Sequence, residues 1–242
     1  MIALFTDFGL SGPYVGQMHA VLVREAPGVP VIDLFHDLPP YRVSAAAYLL
    51  PAYTQGFPVD SIFVCVVDPG VGSPRKPLLL RADHRWYLGP DNGLFGPLAA
   101  RARDCQVQEI VWTPPRLSAS FHGRDLFAPV AARIARGGRP ETRPAVLTAP
   151  QPAWPADLAE VVYIDRFGNA VTGLRAETVP VAARLRCGEH LLERAQTFSD
   201  VAPGSGFWYE NANGLVEIAV NQGSAAGQLG IGIGRPIDVS LP

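Results

Sequence analysis

Cysteine is scarce in this chain. Cys65, Cys105 and Cys187 are the only three in 242 residues, odd in number, far apart and without a Cys-x-x-Cys pair. That leaves no material for a disulfide framework or a cysteine-built zinc site, and the three read as reduced thiols of a cytoplasmic protein. Net charge is nearly absent too, at −2, so the electrostatic footprint of a nucleic-acid binder is missing. No apolar run approaches the roughly 18 residues of a membrane span, and the first residues lack the basic segment and apolar core of a secretion signal. A cytoplasmic protein with neither a membrane nor a nucleic-acid partner is expected.

Two further absences exclude two chemistries. The glycines of Val66–Arg75, VVDPGVGSPR, are not followed by Gly-Lys-Ser/Thr, so they do not form a phosphate-binding loop. Thr6-Asp7-Phe8-Gly9 has the letters of a kinase metal-binding triplet, yet only six residues precede Asp7. A Gly-rich loop, a strand lysine and a His-Arg-Asp loop have no room upstream of it.

What is there describes a compact, loop-rich protein: 48% hydrophobic, 17% charged, with 24 Gly and 24 Pro. Apolar runs at 2–5, 31–34, 61–67, 78–81 and 86–88 predict strands. Between the first two, Val15, Met18, Val21 and Leu22 recur with helical period over 14–25. Further helices are expected at 43–53 and 125–136, the last with Asp125 as its N-cap. Alternating strands and helices predict an α/β domain with a mainly parallel sheet over residues 1–140. A proline-rich linker is expected at 141–157, followed by a smaller all-β, barrel-like domain over 158–242. Strand-like runs there lie at 160–164, 182–187, 207–209, 215–220 and 237–240.

The candidate chemistry sits at strand ends and in loops. Asp7 follows the first apolar run, where an α/β protein exposes side chains at the carboxyl end of a strand. Asp68 ends the strand over 61–67, and the turn Pro69-Gly70-Val71-Gly72 leaves Arg75 free to fold back beside it. A surface ion pair would look the same; the functional alternative is a carboxylate oriented by a guanidinium in a pocket. His122, in SASFHGRDLFAP, precedes the third helix, where a capping or loop role competes with a place in the same site. Pro90-Asp91-Asn92-Gly93 reads as a tight turn near the pocket. In the second domain Asp165, Phe167 and Asn169 put an acid, an aromatic plane and an amide around one turn, a trio suited to a nucleoside. Asn211 and Asn213 precede a later strand and Asn221-Gln222-Gly223 follows it, loops that offer backbone N–H groups to a ligand or merely close hairpins.

Taken in order along nearly the whole chain, TDFG with YVG, the histidine of IDLFHDLPPY, VVDPGVGSPR, GPDNG, SFHGRDLFAP, IDRFGN and NANGLVEIAVNQGSAA resemble the S-adenosylmethionine hydrolase family. This family, also called hydroxide adenosyltransferases, includes relatives of fluorinating and chlorinating adenosyltransferases. The resemblance implies a trimer with sites between subunits. It also implies a reaction in which water displaces methionine from the 5′ carbon of S-adenosylmethionine, without cofactor or metal.

The family's hydrolytic triad falls on Asp68, Arg75 and His122; whether Asp68 or His122 takes the water's proton stays open here. By the same resemblance Asp7 holds the ribose hydroxyls, Tyr41 packs on the nucleoside, Asp165 takes the methionine ammonium, and Phe167 with Asn169 surrounds adenine. Tyr14, Asn213 and Gln222 complete the substrate-binding set. Gly12 and Ala212 depart from the family pattern, which puts an acid and a serine there. Two other readings compete: a halide adenosyltransferase, disfavoured by the charge of Asp68, and a silent nucleoside-binding protein, which would not need the triad.

Overall fold

The computed structural model describes residues 1–150 and 152–241; Gln151, within the expected linker, and Pro242, at the end of the expected second domain, lie outside the described residues. The chain divides into two compact units, one of Met1–Ala47 with Gln55–Ala153, the other of Tyr48–Thr54 with Trp154–Pro242.

The first unit runs β1 (Ile2–Thr6), α1 (Tyr14–Glu25), β2 (Val31–Phe35), α2 (Val43–Thr54, whose last residues belong to the second unit), β3 (Ile62–Val66), β4 (Pro77–Ala82), β5 (Arg85–Pro90), α3 (Gly96–Arg101) and β6 (Cys105–Ile110). A π-helical turn, Gly123–Phe127, then leads into α4 (Ala128–Ala135), and β7 (Thr142–Pro144) follows. The sheet order is β2-β1-β3-β5-β4-β6-β7. β2, β1, β3 and β5 are mutually parallel, β4 is antiparallel to both β5 and β6, and β7 is antiparallel to β6. The expected mainly parallel sheet therefore forms.

The reason is visible in burial. β1 and β3 are buried at every residue, as continuous apolar runs covered on both faces must be. α1 buries Val15, Met18, Val21 and Leu22, the residues whose spacing predicted it. Met18, Val21 and Leu22 pack with Leu4, Val64 and Phe127 into one core. Because β1 lies between β2 and β3, the chain reverses direction across the sheet there, and the crevice outside the carboxyl ends of β1 and β3 is the topological switch point. Thr6 pairs with Val66 in that ladder, so Asp7 and Asp68 emerge at neighbouring strand ends.

Three local expectations change. The stretch expected as a linker, 141–157, carries β7, an edge strand of Thr-Arg-Pro that pairs with Gln108–Ile110 and shows no apolar run; an edge is where a strand tolerates proline. Asp125 is not an N-cap: the helical region begins at Gly123, and the Asp125 carboxylate accepts the Ser118 N–H at 2.9 Å and pairs with Arg124. Neither α3 nor β6 was anticipated.

The second unit contains β8 (Leu158–Ile164), β9 (Ala170–Arg175), β10 (Arg184–Cys187), β11 (His190–Leu192), β12 (Gly206–Glu210), β13 (Leu215–Val220), α5 (Ala225–Gln228) and β14 (Asp238–Ser240). Its strands form two antiparallel sheets, β12-β13-β9-β8 and β11-β10-β14, and the bridges Glu160–Pro236 and Arg194–Trp208 join them at both ends. Trp208 is fully buried at its core and donates its indole N–H to the Ala183 carbonyl at 3.1 Å. Among the described residues, no helix is long and apolar enough to cross a membrane. Cys65 and Cys187 are buried free thiols, and Cys105 is partly exposed.

Candidate active site

After β3 the chain must turn at once. The Val71 N–H donates to the Asp68 carbonyl at 3.2 Å and the Ser73 N–H to that of Gly70 at 3.0 Å. Gly72 has φ +83°, and a Cβ there would stand 2.6 Å from the Ala119 carbonyl oxygen. Glycine is thus required twice over, for the left-handed conformation and for the approach of the loop that carries His122. The turn returns Arg75 onto Asp68: Nε donates to Oδ1 at 2.8 Å and Nη2 to Oδ2. Both side chains are almost fully buried, at 8% and 4% exposure.

Arg75 Nη2 also lies 3.0 Å from His122 Nδ1. A guanidinium can only donate, so Nδ1 is the acceptor, and the neutral ring carries its proton on Nε2. Burial, followed by the positive charge of Arg75, holds the His122 pKa below its ordinary value, against the opposing pull of Asp68 and Asp125. His122 immediately precedes the π-helical turn, a local widening of the helix that recurs at functional sites. From the neighbouring β5 end, Asn92 Nδ2 donates to the Val67 carbonyl at 2.9 Å, steadying the residue before Asp68. Asp91 is spent on Thr148, in keeping with the tight turn expected at GPDNG.

Asp7 is half-buried and accepts the Tyr41 N–H at 3.2 Å. Burial raises its pKa, and the charge of Asp68 adds to the effect, while backbone N–H groups oppose it. Tyr41 is held at φ +64° and is 77% exposed, a strained and open placement for an aromatic residue. Tyr14, half-exposed, sets its ring edge-on to Phe121 at 5.4 Å, beside His122. The first unit therefore brings together Asp7, Tyr14, Tyr41, Asp68, Arg75 and His122.

In the second unit, Asp165 organises its own turn. Its Oδ1 accepts the N–H groups of Phe167 and Asn169 at 2.9 and 2.8 Å, and its Oδ2 accepts Asn169 Nδ2 at 3.0 Å. Gly168, at φ +85°, lets the turn lie against Ser224. The result leaves Phe167 75% exposed, while Asn169 is buried with no partner for its Oδ1. The Asn213 N–H donates to Asn211 Oδ1 at 3.0 Å, and Gln222 sits at φ +56° in the turn after β13.

Sequence reasoning missed a buried network behind that turn. Glu217 accepts the Tyr209 hydroxyl at 2.6 Å and Asn211 Nδ2 at 2.9 Å. Burial, with the nearby Asp165 charge, raises the Glu217 pKa, and burial with the charges of Glu217 and Asp165 pushes Tyr53 up to about 12. The only signal was a glutamate inside an otherwise apolar strand.

A switch-point crevice holding a carboxylate, a guanidinium fork and a neutral imidazole, on an α/β unit followed by a β unit, is the make-up of an enzyme acting on a small molecule. Residues 2–143 match the SAM hydroxide adenosyltransferase N-terminal domain and residues 159–238 its C-terminal domain. The chain belongs to that family. It is 39% identical to the "(R)-S-adenosyl-L-methionine hydrolase" of Thermus thermophilus, over 98% of both chains. It is 23% identical to the "Fluorinase" of Actinopolyspora mzabensis, over 93% of this chain and 92% of the other. An uncharacterized conserved protein from Thermotoga maritima, solved by crystallography, superposes with a TM-score of 0.85 at 30% identity, covering 99% of this chain and 100% of that one.

Proposed function

We propose that the protein hydrolyses S-adenosyl-L-methionine to adenosine and L-methionine by attack of water on the ribose 5′ carbon. The observation that carries this reading is the Asp68–Arg75–His122 cluster, assembled at the strand-end crevice of a chain in this family. In the step, a bond forms between the water oxygen and C5′, the C5′–S bond breaks, and its electron pair goes to sulfur. The leaving group is a neutral thioether departing from a sulfonium, so no general acid is needed, and the reaction asks neither cofactor nor metal of the protein. The protein positions a water and takes its proton.

The hydrogen bonding divides these tasks. With Nδ1 accepting from Arg75, the His122 ring nitrogen that remains carries a proton and acts as a donor. Asp68 is then the acceptor for the water's proton, with Arg75 fixing its plane. Asp7 holds the ribose hydroxyls, with Tyr41 and Tyr14 packing beside the nucleoside. The second-unit residues Asp165, Phe167, Asn169, Asn213 and Gln222 receive adenine and the amino-acid end, supplied across the interfaces of a homotrimer. Phe167's exposure supports the stacking role; Asp165's three internal bonds make its contact with the methionine ammonium a shared one. The cytoplasm, where S-adenosylmethionine is made and thiols stay reduced, is the proposed location.

The relatives' name specifies the (R) sulfonium centre. Sulfonium sulfur is pyramidal and stereogenic, so the two epimers present their methionine chains differently to one pocket. We take the (R) epimer as the substrate. The test is to incubate purified protein with each epimer, with and without chloride and after exhaustive chelation, and to separate the products by chromatography. Adenosine and methionine from the (R) epimer, unaffected by chelation, are expected. A chlorinated nucleoside, a metal requirement or no product from either epimer would each refute the corresponding part.

A further inference from the structure

The segment that presents Asp7 is fastened from behind by one histidine. β1 and β2 pair in parallel with Leu4 opposite Asp33, but Phe5 stands opposite Phe35. One extra residue, Leu34, is accommodated in β2, which brings His36 level with Thr6. The buried His36 ring places Nδ1 2.7 Å from Thr6 Oγ1 and Nε2 2.8 Å from Asp33 Oδ1. Asp33 is held in turn by His19 Nε2 at 2.7 Å. The His36 carbonyl accepts the Gly9 N–H at 2.6 Å. Asp7 and Phe8 thus sit between two attachments, Thr6 and Gly9, that end on the same residue.

The proton order along this chain is self-consistent. The Asp33 carboxylate only accepts, so His36 Nε2 donates; Nδ1 then accepts the Thr6 hydroxyl proton, and the Thr6 oxygen is left to accept the Phe8 N–H at 3.4 Å. Thr6 is fully buried, so this Asp–His–Thr sequence is no nucleophile. Its reach is through geometry. We propose that Thr6 and His36, backed by Asp33, are positioning residues that aim the Asp7 carboxylate at a vicinal diol; the inference rests on the reading of Asp7 as the ribose-holding group.

The experiment compares calorimetric binding of adenosine and 2′,3′-dideoxyadenosine to the full-length protein. Thr6→Val keeps the volume and removes the hydroxyl, Thr6→Ser restores it, Asp33→Ala releases His36 from the partly exposed end, and Asp7→Asn is the reference. Asp7→Asn should abolish the preference for adenosine. Thr6→Val should weaken adenosine about tenfold, the worth of one hydrogen bond, with dideoxyadenosine unchanged. Thr6→Ser should bind like wild type, and Thr6→Val should add nothing to Asp7→Asn. If Asp7→Asn leaves the preference intact, the ribose reading of Asp7 is wrong. If Asp7→Asn abolishes it while Thr6→Val weakens both nucleosides equally or neither, the clamp is only structural and the inference is overturned. Should Thr6→Val not fold, Asp33→Ala decides: selective loss of adenosine supports the clamp, and equal loss or none overturns it.

Discussion

Replacing Arg75 by lysine keeps the charge and changes only the shape, which isolates what the guanidinium fork does. In the structure it makes three polar contacts from one plane: Nε and Nη2 to the two Asp68 oxygens, and Nη2 to His122 Nδ1. A single ammonium on a flexible stem cannot span all three. It keeps one contact and loses two, at about 1.5–3 kcal/mol for each bond to a charged group. Taking the lower end because the ammonium still attracts Asp68 at short range, about 3 kcal/mol is lost from the organisation of the cluster. At 1.36 kcal/mol per decade that is a fall of roughly 10²-fold in the chemical step. The assay is single-turnover adenosine release, run beside calorimetric adenosine binding, which should shift less than about threefold because the proposed adenine and ribose contacts do not involve Arg75. A second readout tests the premise: ¹⁵N shifts of the His122 ring should show Nε2 protonated in the wild type and a mixture of tautomers in Arg75→Lys. Release within about threefold of wild type, or an Nδ1–H tautomer in the unmodified protein, would refute the reasoning.

Three other outcomes are expected. Gly72→Ala places a methyl against the Ala119 carbonyl in a left-handed backbone; it should cost about 1–3 kcal/mol in urea unfolding and slow turnover by displacing the His122 loop. The His122 ring, titrated by NMR, should show a midpoint below the ordinary 6.5, because burial and then Arg75 disfavour its charged form; a midpoint at or above that value would contradict the geometry. Asp7 has a folded-state pKa raised above 3.8 by burial and by Asp68, so between 3.8 and its raised value the folded protein binds more protons than the unfolded one. Its contribution to stability therefore falls as pH rises through that window. Asp7→Asn should accordingly melt higher than wild type at neutral pH, and the difference should vanish below about pH 3.8; an equal or lower melting temperature at pH 7 would count against it.

The parts of the site readable from the chain were those where a strand ends in a chemically distinctive residue. Asp68 follows a run with no polar interruption, its turn residues dictate a reversal, and Arg75 is the first cation that the reversal returns. Helix α1 was readable because four apolar side chains repeat at its period. The failures have other causes. β7 is Thr-Arg-Pro and owes its place to pairing with β6, a long-range partnership that no local pattern encodes. Asp125 has the chemistry of a cap, but a π-helical turn opening at Gly123 moved the helix start past it. The His36–Thr6 bond joins residues thirty apart in sequence, and neither has a neighbour that advertises the other. Glu217 was hidden by the opposite problem: in an apolar strand a single acid looks like a solvent-facing residue, until the sheet shows it buried against Tyr209 and Asn211.

The extra residue in β2 has a consequence for anyone redesigning this protein. A procedure that rewards regular strands would pair Leu34 with Phe5, since an unbroken ladder with β1 looks like an improvement. Side chains alternate across a strand, so that slip would put Phe35 opposite Thr6, send His36 to the other face and leave the Thr6 hydroxyl facing an apolar ring. The variant would keep its core residues and could even be easier to express, while its crevice lost the aim of Asp7. Idealisation of the backbone and preservation of the site pull in opposite directions at this one position, and a stability screen alone would select the wrong outcome.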